Sequence, residues 1–155
     1  MRRAQLGSSA AFEQLILRRG PHLSRYLAVR LSERYALDVF QETVAAAWQG
    51  LPNLKDPSKF WPWLVGIAAH KTADAGREQS RAVAQAVEAS VSADESMLEV
   101  REALAALPET FRQILLLRYY LDLSEEEVAV ALDIRLGTVK SRSARARRAL
   151  LELLR

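Results

Sequence analysis

Residues 123–155 read LSEEEVAVALDIRLGTVKSRSARARRALLELLR, and this stretch decides the fold. Ser124 followed three residues on by Glu127 is the pattern of a reciprocal capping box, so a helix starts there. Val128 and Leu132 lie one turn apart and put an apolar stripe on that helix. Ala129 beside them is small enough for a second helix to cross closely. The pattern halts at Asp133-Ile134-Arg135 and restarts at Leu136. Two short helices joined by so tight a turn describe a helix-turn-helix. In the second helix Val139, Ser143, Ala146 and Leu150 share one face. Ser141, Ala144, Arg145 and Arg148 share the opposite face, with Gly137 and Lys140 near its edge. The apolar face packs on the domain, and the basic face is left for phosphates and base edges.

Charge supports that division. Positions 135–155 hold seven Lys or Arg against one acid, Glu152, whereas 94–133 hold ten acids against three Arg. A net charge of +3 hides this polarity. A basic helix end also suits its own macrodipole, but here basic charge, turn and capping box coincide at the spacing a DNA reader needs.

The chain has 155 residues, enough for one ordinary domain or two small ones, and half of them are hydrophobic. It has no cysteine, which excludes disulfides and thiolate metal sites. Two distant histidines do not suit a His-based metal site. No apolar run approaches the ~20 residues of a membrane span. The N-terminal MRRAQLGSS is basic but leads into no signal-peptide apolar run. These features predict a soluble, cytoplasmic protein without membrane insertion.

Upstream, the whole chain reads as helical. Ser8 or Ser9 caps a first helix through Arg19, and Gly20-Pro21 is expected to break it. A second helix is expected from Pro21 to Leu31 and a third from Ala36 to Gln49. In the third, Leu37, Phe40, Val44, Ala47, Trp48 and Leu51 form an apolar stripe. Asp38, Gln41, Glu42, Ala45 and Gln49 fall on the other side. Asp38 and Glu42 are one turn apart and repel, and nothing basic in that helix relieves them. Such a face is either solvated or meets a basic partner.

Leu51–Ser58 is a loop marked by Pro52, Asn53, Asp56 and Pro57. A fourth helix begins near Lys59, tolerates Pro62 in its first turn, and runs to Ser80. Phe60, Trp63, Leu64, Ile67 and Ala68 make its inner stripe. Trp61 lies off that stripe, and His70, Lys71, Asp74 and Arg77 follow on polar positions. An aromatic-rich loop before such a helix can hold an unpaired base by stacking. Trp48 and Trp63 read better as core, whereas Trp61 suits either role. Residues 81–96 lack bulky apolar anchors and read as a flexible linker. Met97–Leu107 is a helix ended by Pro108, and Glu109–Leu121 is the next, with Phe111, Ile114, Leu115 and Leu117 buried. The expected fold is all-α, with small helical domains over 1–80 and 97–155.

Several motifs now align with a known family. Asp38-Val39-Phe40-Gln41-Glu42 followed by Ala47-Trp48 resembles D-L-V-Q-E…A-W. Phe60…Trp63-Leu64…Ile67-Ala68 resembles F-x-x-W-L-x-x-I-A. Leu104…Leu107-Pro108…Arg112…Leu115-Leu116-Leu117-Arg118, then Leu123-Ser124…Glu127-Val128-Ala129 and Gly137-Thr138-Val139-Lys140-Ser141-Arg142, complete the pattern. Each motif is weak alone; their order and separation together are specific. Nearly the whole chain resembles a minimal bacterial RNA polymerase sigma factor of the extracytoplasmic-function (ECF) group, with regions 2 and 4 of the sigma-70 family.

The resemblance implies roles. Asp38, Gln41 and Glu42 match the face that docks on the clamp helices of the polymerase largest subunit. The loop 51–59 and the helix after it match the part that opens the minus-10 element and captures a flipped base. That places Trp61, His70, Lys71, Arg77 and Arg81 at minus-10 DNA, with His70 where the family often has Asn. Lys140, Ser141, Arg142, Ala144 and Arg145 match positions entering the minus-35 major groove, and Thr138 a phosphate contact. Arg135 and Arg148 extend that basic face. Core polymerase, promoter DNA and an anti-sigma factor are the implied partners. No cofactor, metal or catalytic residue is implied.

Three departures bear on the promoter sequence. Asp133 and Arg135 stand where Gly and a capping Ser are common. Asp tolerates a left-handed backbone, but Arg135 has no acceptor with which to cap, a loss of ~1 kcal/mol. Gly76 inside the fourth helix costs about 1 kcal/mol against Ala, so the end of that helix is expected to fray. Ala144 removes a bulky contact that some relatives make.

Two other classes fit the sequence less well. A stand-alone helix-turn-helix regulator of the response-regulator type requires an α/β receiver, and no alternating strand pattern occurs. A nucleic-acid enzyme requires a carboxylate cluster, a nucleophile–base pair or a phosphate-cradling Gly loop, and none is present.

Overall fold

Ten successive residues, Phe60 to Ala69, carry no charge, and they form the centre of the molecule. The computed structural model describes residues 1–79 and 95–155, apart from the side chains at 76–79 and 95–97. The elements are α1 (Arg2–Gln5), α2 (Ser9–Arg30), α3 (Glu33–Gly50), α4 (Phe60–Gln79), α5 (Glu95–Ala106), α6 (Glu109–Leu115), α7 (Glu125–Leu132) and α8 (Leu136–Leu153). Two 3₁₀ turns, Leu51–Asn53 and Pro57–Lys59, link α3 to α4, and a π turn, Leu116–Tyr120, extends α6. No strand occurs among the described residues.

Ser8 caps α2 by accepting from the Ala11 amide. The expected break at Gly20-Pro21 does not occur, because α2 runs through it. Pro21 is on the exposed side, so the carbonyl it deprives of a donor lies toward water. Gly20 is buried because α3 crosses there; a methyl group at Gly20 would stand 3.3 Å from the Phe40 ring. α3 begins at Glu33 rather than Ala36. Its buried face is Ala36, Val39, Thr43 and Ala47, at helical spacing. Leu37, expected in the apolar stripe, is 100° from that face and 56% exposed. Trp48, expected in the core, sits at its edge, 36% exposed, with its ring 5.1 Å from that of Phe12.

α4 has no solvent face over its first turns. Trp61, Leu64, Val65, Gly66, Ala68, Ala69 and Thr72 are all buried, because α4 is covered on one side by α2 and α3 and on the other by α7. It approaches α7 closely at Gly66. An added methyl group there would stand 2.5 Å from the Ala131 carbonyl oxygen. A polar contact joins the same two parts. Arg30, at the end of α2 and with its side chain buried, bonds to Glu109, the first residue of α6, and donates at 3.3 Å to the Tyr26 hydroxyl. Burial raises the Tyr26 phenol above its usual range.

The C-terminal part folds by the expected helix-turn-helix chemistry. Both bonds of the Ser124–Glu127 capping box form, at 2.8 and 3.0 Å. Asp133 takes the left-handed conformation at φ 51°, and Arg135 starts α8 without a side-chain cap. Upstream, the expected 109–121 helix widens into the π turn, where the Leu121 amide bonds to the Leu116 carbonyl. The wider turn keeps Leu116 and Leu117 both inward. Leu64, Ile114, Leu117, Val128 and Val139 belong to one continuous core. Burying each such side chain contributes about 1.5–3 kcal/mol.

The 81–96 linker lies outside the described residues as far as position 94, and α5 has begun at Glu95. Among the described residues the two helical parts pack on each other. Gly76 lies within α4.

Candidate nucleic-acid interface

α8 presents the basic face. Val139, Ser143 and Ala146 are buried against the rest of the C-terminal part, which fixes the helix rotation. Arg135, Lys140, Ser141, Ala144, Arg145 and Arg148 are therefore exposed together, with Thr138 and Arg142 half-buried beside them. The Ser141 hydroxyl donates to the Thr138 carbonyl at 3.1 Å, and Arg145 Nε donates to the Ser141 carbonyl at 3.4 Å. Arg145 is thus aligned along the helix with its terminal nitrogens free to leave it. Arg147 points elsewhere and donates to the Tyr119 hydroxyl at 3.3 Å.

The second group is on α3, α4 and the loop between them. Asp38, Gln41 and Glu42 are exposed on α3. The expectation that nothing basic in that helix relieves these acids fails, because α3 starts early enough to include Arg34, one turn before Asp38, and Lys71 of α4 reaches Glu42 Oε2 at 3.2 Å. One residue expected at DNA and one expected at the polymerase are therefore paired with each other. His70 is exposed next to them. Trp61 is not available for base stacking. It is 8% exposed, in the core, with the Arg19 guanidinium 5.3 Å from its ring centre. A helix covered on both sides leaves no outward position for that ring. The Arg77 side chain and all of Arg81 lie outside the described residues.

The loop has its own restraints. Asp56 accepts from the Ser58 amide at 3.0 Å and from its hydroxyl at 2.6 Å. Those two bonds, the hydroxyl first, hold the Asp56 carboxyl below its ordinary range. At the other end Gln5 donates to the Leu54 carbonyl at 2.9 Å and the Leu51 carbonyl at 3.4 Å. Sequence reasoning missed Gln5, because no local pattern marks a contact across more than forty positions. Among the described residues no cluster of three His, Asp or Glu is placed to hold a metal ion.

A basic recognition helix, an acidic helix face and a loop-led fourth helix now stand in one all-α chain. Residues 15–82 match the family model for Sigma-70 region 2, and residues 97–150 that for Sigma-70, region 4. RNA polymerase sigma factor NccH of Alcaligenes xylosoxydans xylosoxydans is 31% identical over 99% of this chain and 91% of its own length. The chain belongs to the ECF group of sigma-70 family sigma factors. ECF RNA polymerase sigma factor SigD of Mycobacterium tuberculosis is 34% identical, over 92% of this chain and 76% of that protein. Among solved structures, CnrH in complex with the cytosolic domain of CnrY superposes with a TM-score of 0.80 at 30% identity, covering 99% of this chain and 93% of that one. The sigma factor RpoE of Bartonella quintana, solved with the anti-sigma factor NepR, gives 0.74 at 26% identity over 93% and 96%. As a sigma factor this chain is a promoter-specificity subunit: it binds core RNA polymerase, recognises promoter elements and initiates transcription. The region 2 match accounts for the N-terminal half that a stand-alone regulator would leave unexplained. No described helix is long and apolar enough to cross a membrane.

Proposed function

We propose that this sigma factor divides its work by residue as follows, with 1–80 and 97–155 as its two working domains. Asp38, Gln41 and Glu42 meet the clamp helices of the polymerase largest subunit. The 51–59 loop, with His70, Lys71, Arg77 and Arg81, captures and holds minus-10 DNA. Arg135, Thr138, Lys140, Ser141, Arg142, Arg145 and Arg148 read and grip the minus-35 element. Catalysis belongs to the polymerase, and the protein works in the cytoplasm without a cofactor.

The exposed basic ridge of α8 on a buried Val139–Ser143–Ala146 face carries this reading. Phosphate contacts from that ridge make binding steeply salt dependent. The packing of α4 on α7 adds a constraint. Minus-35 and minus-10 elements lie roughly 25 base pairs apart, about 85 Å of duplex at 3.4 Å per base pair. A packed chain of this length is only about 40 Å across. The packed form therefore engages one element at a time, and core polymerase acts by separating the two readers. Once separated on one scaffold, they gain from effective concentration. Two of the solved relatives were captured with CnrY and with an anti-sigma factor, which supports a similar inhibitor for this chain, one that favours the packed form.

The test is binding of a promoter duplex carrying both elements, by the free chain and by holoenzyme. Scrambling either element should weaken holoenzyme, whereas the free chain should respond to the minus-35 element alone. A free chain sensitive to both would contradict the division.

A further inference from the structure

α1 is a single turn of helix and cannot persist without packing. Ala4 is buried, and Met1 packs against the core. Gly7, at φ 94°, then turns the chain into the Ser8 cap of α2. α1 packs on α2 and on the Leu51–Asn53 turn itself, and so holds Gln5 against the root of the loop. From there its carboxamide reaches two carbonyls of that loop, Leu54 at 2.9 Å and Leu51 at 3.4 Å. The Leu54 amide also donates to Leu51, at 3.1 Å, so the root of the loop is closed on itself and tied to α1. At the far side Asp56 folds over Ser58. Only Lys55 lies between the two anchors.

Loops are the natural place for a recognition surface, and their weakness is the ordering that binding must impose. Here the loop carries exposed Asn53, Lys55, Ser58 and Lys59 on a backbone that is restrained at both ends. We propose that Gln5 is a positioning residue for base capture. Its two N–H groups hold the loop root in the base-accepting shape before DNA arrives. A carboxamide suits the task because it offers two donors on one planar group. A carboxylate of the same size would set two acceptors against two carbonyl oxygens. The inference rests on the proposed minus-10 role of the loop.

The experiment uses full-length holoenzyme and a single-stranded minus-10 oligonucleotide, taken from a promoter recovered by transcribing a genomic library. Its affinity is compared with that of the same strand carrying a substituted minus-10 base, and the ratio is the readout. Gln5→Glu and Gln5→Met should lower the ratio about tenfold, and Gln5→Lys, which keeps a donor, should stay within about twofold of wild type. Affinity for core polymerase should not change. If Gln5 merely stabilised α1, all three variants would melt earlier with the ratio intact, and the inference would fall. Asn53→Ala and Ser58→Ala in the loop itself serve as the control. Should they lower the ratio while the Gln5 variants do not, only the role of Gln5 is overturned. Should neither group move it, the minus-10 reading of the loop falls too.

Discussion

Gly66 of α4 lies against the backbone of Ala131 in α7, so close that a β-carbon on Gly66 would stand 2.5 Å from the Ala131 carbonyl oxygen. Helix α4 belongs to the stretch that matches Sigma-70 region 2, and α7 to the stretch that matches region 4. The contact makes the packed form depend on one missing methyl group.

Gly66→Ala is therefore predicted to drive the two parts of the free chain away from each other. The substitution favours the helix by about 1 kcal/mol. Overpacking costs ~1–3 kcal/mol, and here the obstacle is backbone that cannot rotate away. Small-angle scattering of the free variant should show a larger radius of gyration than wild type. An unchanged radius with an unchanged melting temperature would show that α4 and α7 do not meet in this way.

Glu109→Ala removes the carboxylate that joins Arg30 to α6, while Tyr26 keeps its bond to Arg30. Glu109 is half exposed but the Arg30 side chain is not, so the variant leaves a buried guanidinium with only the Tyr26 hydroxyl and should cost more than the ~1 kcal/mol of a surface pair. Combined with Gly66→Ala it should add little, because the contact would already be open. A large additional loss of stability would place the value of this pair within α6 rather than between the two parts.

At the minus-35 face, Arg145→Ala should weaken recognition of that element by ~1–3 kcal/mol and leave core binding unchanged. Competition between promoter duplexes, with holoenzyme affinity measured in parallel, separates the two effects. Equal loss of both would remove Arg145 from the DNA face.

Asp38→Arg is the cleaner probe of the polymerase face. Glu42→Arg also places a like charge opposite Lys71, whose present partner is Glu42 at 3.2 Å. The double variant should lose core affinity without unfolding, and Asp38→Arg alone should lose part of it. Wild-type holoenzyme formation by the double variant would contradict the clamp reading.

Ser143 is buried in α8, and among the described residues its hydroxyl has no hydrogen-bond partner. Ser143→Ala removes an unsatisfied group at little cost in volume, and should raise stability by about 1 kcal/mol. A lower melting temperature would mean that the hydroxyl is bonded in solution.

The helix-turn-helix was legible because its chemistry is local. The Ser124–Glu127 cap, the left-handed Asp133 and the rotation of α8 each follow from residues a few positions apart. The α2 break was misjudged for the same local reason: Gly20-Pro21 reads as a stop unless one knows that Phe40 crosses there. Leu37 lies outside the core in which it was expected, and Trp61, which suited either role, lies inside it, because each depends on what covers its helix from outside. The uncharged run from Phe60 to Ala69 was the available signal, since a helix without a polar face must be covered on both sides. The pairings Gly66–Ala131, Arg30–Glu109 and Gln5–Leu54 join distant positions, and no periodicity encodes them.

The most direct test of the central claim is size-exclusion chromatography of this chain with bacterial core RNA polymerase, followed by run-off transcription on a pooled genomic promoter library. Co-elution is expected, with new transcripts whose templates share a minus-35 and a minus-10 element. Failure to co-elute, with duplex binding by the free chain intact at low salt, would contradict it.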